Sequence, residues 1–207
     1  MKIQPLALFP TNITHTIHEV TKDEQENWFD LYFKHCGNDG RTHDLLGYEQ
    51  VQLEPSLEGF YENKVMPSVR EYFKTLSIDS TKFDVHVTKT FFNVVDDNGI
   101  NKHNHEENHI SFTYYPYIKP GKEKNLILYD TKPCHANELH QGWFHHYVDE
   151  WTEMNCTNFS IPVGQGSMLI FPSNMSHNLA KKDTESTVIK SFNTKEDLLK
   201  SRFCNLR

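Results

Sequence analysis

The sequence has no long apolar run. Its longest purely apolar stretches, such as Met168-Leu169-Ile170-Phe171, are four residues long. A bilayer-spanning helix needs roughly 20, so no membrane span is expected. The opening MKIQPLALFP has one lysine but neither a long apolar core nor a small-residue cleavage site, so no signal peptide is expected either. Cysteine is sparse: Cys36, Cys134, Cys156 and Cys204 are scattered and form no C-x-x-C pair. That excludes a disulfide framework and points to reduced thiols in the cytoplasm. Positive charge is in deficit, with 21 Lys and Arg against 28 Asp and Glu and a net charge of −7. Binding nucleic acid, or a membrane surface, through bulk basic charge is therefore not indicated. Apolar residues are few at 37%, yet aromatics reach 13%, with 14 Phe and 9 Tyr. Disordered chains are poor in aromatics, so this one folds.

The 207 residues suit one domain, and no internal repeat or low-complexity linker divides them. The texture changes along the chain, giving a helical part over about 1–80, a β-rich core over about 82–193 and a short tail over 194–207. Thr21-Lys-Asp-Glu24 has the form of a capping box and precedes Trp28, Phe29, Leu31, Tyr32 and Phe33 at helical spacing, which predicts a helix ending near Gly37. A second helix is expected over about 56–76, with Pro67 marking its regular start. From Phe83 the pattern becomes β-branched and aromatic. Strands are expected over 83–95, 110–117, 125–129, 158–163, 167–171 and 187–192, with Gly and Pro punctuating the junctions. Many short strands at this spacing predict a mainly β jelly roll with the helices on one outer face. The polar tail from Thr194 reads as a short helix.

Histidine is abundant, with 13 residues. Imidazole is the commonest transition-metal ligand, and His103-Asn-His105 puts two of them at i and i+2, on one face of an extended chain. His177 follows the 167–171 strand. In a jelly roll, strands distant in sequence lie side by side, so His177 can join His103 and His105 as a third metal ligand. Such a facial site leaves positions open for substrate and dioxygen, and its usual form has two histidines and one carboxylate. His105-Glu106-Glu107 also reads as H-x-E, with Glu107 as the alternative carboxylate ligand. His109, His145 and His146 read as solvated loop or rim residues.

Several ordered stretches resemble one family. Leu8-Phe-Pro-Thr11, Phe92-Asn-Val94, His103-x-His105-x-x-Asn108-x-Ile110-Ser111, Thr113-Tyr-Tyr115, Gly166-Ser-Met-Leu-Ile-Phe-Pro-Ser173 followed by His177, and Ser191-Phe-Asn193 match its motifs in order. The chain thus resembles the bacterial and phage family of 2-oxoglutarate–Fe(II) oxygenases, built on the double-stranded β-helix. The resemblance implies Fe(II) as cofactor, 2-oxoglutarate as cosubstrate, and oxidative decarboxylation of that acid coupled to hydroxylation of a second substrate. It also implies a setting in the cytoplasm of a bacterium or a phage-infected cell. Tyr115 and Asn193 are the implied hydrogen-bond donors to the cosubstrate.

The chain departs from the family at Glu106, where the family has Pro, and at Phe112, where it has Gly. The family's last strand begins with an Arg that meets the distal carboxylate of 2-oxoglutarate, and Thr187 stands there. Thr donates one neutral hydrogen bond where Arg offers a bidentate charged fork. Lys190 and Lys89 are the neighbouring cations that could substitute. The stretch 130–157, with Trp143, Phe144 and Trp151, reads either as a loop covering the substrate or as a crossover packed by its own aromatics. Two rivals to this function are a three-histidine cupin-type dioxygenase without 2-oxoglutarate and a jelly-roll binding module without catalysis. The sequence leaves the substrate and the oligomeric state open.

Overall fold

The computed structural model describes residues 11–36, 57–88, 90, 92–95, 99–106, 108–131, 158–181 and 203–206. Among these residues, nine strands form two antiparallel sheets. In chain order they are β1 (Thr14–Ile17), β2 (Phe92–Val95), β3 (Ile100–His103), β4 (Ile110–Tyr117), β5 (Lys124–Tyr129), β6 (Asn158–Val163), β7 (Ser167–Pro172), β8 (His177–Lys181) and β9 (Phe203–Leu206). One sheet has the order β1-β7-β4-β9-β2 and the other β3-β8-β5-β6. From β2 to β9 consecutive strands alternate between the sheets except at β5 and β6, which pair with each other in the smaller sheet, and this is the winding of a jelly roll.

Alternation along β4 and β7 explains why the core lies on both faces of the larger sheet. Tyr115, Leu169 and Phe171 point into the space between the sheets and pack with Leu126, Leu128, Ile161, Val163 and Leu179. Tyr114, Met168 and Ile170 point the other way and pack with the helices. The period-2 strand thereby has no solvated face in its central part.

Helix α1 (Lys22–Cys36) begins where the sequence predicts, with the Thr21 hydroxyl accepting the Glu24 backbone N–H at 3.1 Å. Trp28, Phe29, Leu31 and Tyr32 are buried against the sheet. The second helical segment is less regular than the pattern suggests. A short turn α2 (Glu58–Phe60) leads into a π-helical turn, Tyr61–Val65, and then α3 (Met66–Thr75). The Met66 N–H bonds the Tyr61 carbonyl, and Pro67 falls in the first turn of α3, where its missing N–H costs nothing. Pro67 therefore does not break the segment.

Glu24 and Lys64 fasten the helices to the larger sheet. Lys64 Nζ donates to both Glu24 carboxylate oxygens at 2.6 and 2.8 Å, to the Glu19 carbonyl at 2.8 Å and to the Tyr114 hydroxyl at 3.0 Å. Burial and the Glu24 charge hold the Tyr114 phenol far above its ordinary range.

Several expectations are revised. Of the expected strand 83–95, only β2 joins a ladder among the described residues. Residues 83–88 do not form a strand, and Val85 packs on the helix-side core. The strands β1, β3 and β8 were not foreseen. The tail is not helical over 203–206: β9 pairs with both β2 and β4. Residues 187–192 lie outside the described residues, as do most of the 130–157 stretch and the Leu8-Phe-Pro motif. No described helix is long and apolar enough to cross a membrane.

Candidate metal centre

The three histidines singled out by spacing converge. Each of His103, His105 and His177 offers one ring nitrogen, and these atoms all lie within 4.8 Å of one another. The ring centroids are 4.4 Å apart for His103 and His177, 5.1 Å for His103 and His105, and 5.3 Å for His105 and His177.

The backbone explains how. His103 ends β3 and faces His177 across the antiparallel β3–β8 ladder, whose register shifts between Ile100 and His103. His105 lies just past β3, and its N–H donates to the Ser173 carbonyl at 2.8 Å. That bond ties the His103-x-His105 segment to the turn that precedes His177. At the other end of β3, Gly99 has φ +76°, and a Cβ there would sit 2.0 Å from the Leu179 carbonyl oxygen. Only glycine permits β3 to approach β8 this closely.

The tautomers are set from outside. His103 Nδ1 donates to the Asn101 carbonyl at 2.7 Å, and His177 Nδ1 to the Met175 carbonyl at 3.0 Å. A carbonyl only accepts, so Nδ1 carries the proton and Nε2 keeps its lone pair. This is the outer support typical of metal-bound imidazole. The Nε2 atoms of all three histidines are buried. His177 is fully buried, with the Phe171 ring 4.9 Å away. Three imidazole nitrogens converging on one side of a site suit a divalent iron, so the residues present fit the cofactor.

No carboxylate joins the cluster among the described residues. Glu106 is exposed, and its carboxylate accepts from Asn104 Nδ2 at 2.8 Å. Glu107 lies outside the described residues, as do Lys89, Thr187, Lys190 and Asn193, together with His145, His146, Trp143, Phe144 and Trp151. Tyr115 is fully buried in the core between the sheets. His109 is exposed and lines a cavity next to the cluster.

That cavity holds about 450 Å³ and reaches from His105 and His177 to α3 and residues 83–88. Sequence reasoning missed its wall, because α3 and 83–88 carry no motif. It also missed the short hydroxyl side chains on β4. Ser111 Oγ lies 2.7 Å from Ser173 Oγ, and Thr113 is fully buried. The usable signal was the run Ser111, Thr113, Tyr115, one hydroxyl at every second residue of a strand.

Residues 91–193 match the model of the family described as "Putative 2OG-Fe(II) oxygenase". Residues 91–193 thus form a domain of this family. This oxygenase accordingly uses Fe(II) and 2-oxoglutarate, as the sequence resemblance implies. Among curated proteins, none matches it. Among solved structures, it is similar to the non-heme alpha ketoglutarate dependent carbocyclase SnoK from nogalamycin biosynthesis. The TM-score is 0.52 at 11% identity, over 95% of this chain and 78% of that one. HygX from Streptomyces hygroscopicus, with iron bound, gives a TM-score of 0.46 at 11% identity, over 95% of this chain and 81% of that one. The likeness to the carbocyclase is one of fold, and it agrees with the jelly-roll winding.

Proposed function

We propose that His103, His105 and His177 are the protein ligands of the iron in this oxygenase, and that the site hydroxylates a substrate bound in the adjoining cavity. The convergence of the three ring nitrogens within 4.8 Å carries this reading. Held by His103, His105 and His177, iron would supply the redox chemistry of the reaction. The chain does the rest. The Asn101 and Met175 carbonyls hold two imidazoles in the ligating tautomer. The Ser173 carbonyl fixes the segment carrying His105. Phe171 and the inner faces of β4 and β7 keep water from the buried side of the cluster.

Tyr115, Thr187, Lys190 and Asn193 are our candidates for contact with 2-oxoglutarate. With Thr187 in place of an Arg, the distal carboxylate loses a charge-assisted pair of roughly 1.5–3 kcal/mol, or about 10- to 150-fold in affinity. We place the protein in the cytoplasm as one domain over 1–207, on its scattered thiols and its unbroken texture.

Anaerobic iron loading tests the ligand set. His103→Ala and His177→Ala should each lose most bound iron, while Glu107→Ala should keep it. Unchanged iron stoichiometry in His177→Ala would refute the assignment, and loss of iron in Glu107→Ala alone would install the H-x-E pair. Titrating 2-oxoglutarate into the anaerobic Fe(II) protein should raise a metal-to-ligand charge-transfer band, and Thr187→Arg should shift its midpoint to lower concentration. Absence of the band at millimolar 2-oxoglutarate would remove the cosubstrate.

A further inference from the structure

Lysine is rarely buried, yet Lys124, the first residue of β5, is 3% exposed. Among the described residues it is the one Lys, Arg, Asp or Glu that is buried. The strand register fixes its side. Lys124 pairs with Val163, Leu126 with Leu179 and Leu128 with His177, and residues directly opposite in an antiparallel ladder share a face. Val163, Leu126, Leu128 and Leu179 belong to the core between the sheets. Lys124 therefore stands on the inter-sheet face of β5, the face that His177 occupies on β8. Its level is four residues of strand from that of His177, about 13 Å.

The facing strand adds a hydroxyl to the same space. Thr113 shares the inter-sheet side of β4 with Ser111 and Tyr115. It is fully buried, and its Oγ1 has no hydrogen-bond partner among the described residues. A buried hydroxyl left unpaired is costly. Thr113, Phe171 and His177 line the cavity beside the histidines from between the sheets, so that cavity enters the barrel on the side where Lys124 stands.

2-Oxoglutarate is a five-carbon diacid. With its keto end at the histidines, its other carboxylate enters this inter-sheet space. Thr187 stands where the family's Arg would meet that carboxylate, and a buried ammonium can replace the charge. The flexible four-carbon stem of lysine lets the ammonium reach back along the strand. Stem and diacid chain together bridge the distance between the two levels.

We propose that Lys124 is the cation that binds the distal carboxylate of 2-oxoglutarate, with the Thr113 hydroxyl donating a second hydrogen bond to it. The cosubstrate then lies between the sheets, and the part of the cavity against α3 and residues 83–88 stays open for the substrate. This assignment rests on the oxygenase reading above, and the test separates the two.

The full-length protein, loaded anaerobically with Fe(II), is titrated with 2-oxoglutarate and with 2-oxopentanoate, which has the same chain length without the distal carboxylate. The midpoint of the charge-transfer band is read. The native protein should bind 2-oxoglutarate about 10- to 150-fold more tightly than 2-oxopentanoate. Lys124→Met should remove most of that preference by weakening 2-oxoglutarate alone. Lys124→Arg, which keeps the charge, should retain the preference. Thr113→Val should weaken 2-oxoglutarate roughly 2- to 10-fold. Circular dichroism and Tm verify folding, and Lys124→Gln makes the same comparison if Lys124→Met does not fold. An equal loss for both acids would make Lys124 a packing residue and overturn the proposal. So would an unchanged 2-oxoglutarate midpoint in Lys124→Met, or loss of the preference in Lys190→Met in its place. An unchanged midpoint in Thr113→Val overturns the role of the hydroxyl. If the native protein gives no band with either acid, the oxygenase reading fails and the assignment with it. A native band that Lys124→Met leaves unaltered overturns the assignment alone.

Discussion

Replacing Lys64 by Met removes the cation that joins the π-helical turn to α1 and to β4 while keeping most of the aliphatic stem. In the native protein Lys64 and Glu24 side chains are 18% and 26% exposed. The pair is therefore neither a surface ion pair, worth up to about 1 kcal/mol, nor a fully buried one, whose disruption costs about 3–5 kcal/mol. Without the lysine, the side-chain donors to Glu24 among the described residues are neutral and weaker, the Tyr114 hydroxyl at 3.1 Å and Trp28 Nε1 at 3.4 Å. The Glu19 carbonyl also loses its Lys64 donor. A destabilisation of about 2 kcal/mol follows. For a chain of this length that lowers Tm by about 4–8 °C, measurable by calorimetry at neutral pH. Glu24→Leu combined with Lys64→Met should recover part of the loss, because no uncompensated charge remains, with a coupling of about 1 kcal/mol or more. An unchanged Tm in the single variant, or strictly additive effects in the pair, would show that the network does not hold the helices to the sheet.

Gly99→Ala forces a positive φ on alanine and sets its Cβ against the Leu179 carbonyl. It should cost about 2 kcal/mol or more. It should also weaken iron binding by moving His103 away from His177, a shift that titration of Fe(II) into the anaerobic variant would detect. The pH dependence of stability follows from His15 and His18. Burial lowers both pKa values below 6.5, and the Lys64 charge adds to the effect at His18 against an opposing contribution from Glu24. The unfolded chain takes up these protons more readily than the folded one. Stability should be full above the ordinary histidine pKa and decline as pH falls below it toward the lower folded values. Urea unfolding at pH 7.5 and 5.5 should show the decline, and His15→Gln with His18→Gln should flatten it.

What the sequence revealed tracks how locally each feature is determined. The capped start of α1 rests on residues four apart, and β4 and β6 are long apolar strands whose bounds fall where the pattern puts them. The histidine trio was legible because i and i+2 share a side and because the jelly-roll winding places β8 beside β3. The strands β1, β3 and β8 carry His, Asn, Lys and Thr, and they owe their conformation to a partner distant in sequence. Residues 83–88 have strand chemistry but do not form a strand, and their valines serve the helix-side core and the cavity. The last described strand lies in what reads as a polar, helical tail, and Phe203–Leu206 owes its conformation to partners in β2 and β4 that are distant in sequence.

The facing of His103 and His177 across the β3–β8 ladder has a consequence for fluctuations. A ligand that bridges two strands must be released before the strands can part, so its chemical potential enters the local opening equilibrium. At 100 times its dissociation constant, such a ligand raises the opening free energy by about 2.7 kcal/mol. Amide hydrogens in this ladder would then exchange about 100-fold more slowly by the opening route, while those of β1, on the far edge of the other sheet, would be unaffected. The exchange rate of a few backbone amides is thus a gauge of site occupancy that needs neither substrate nor turnover.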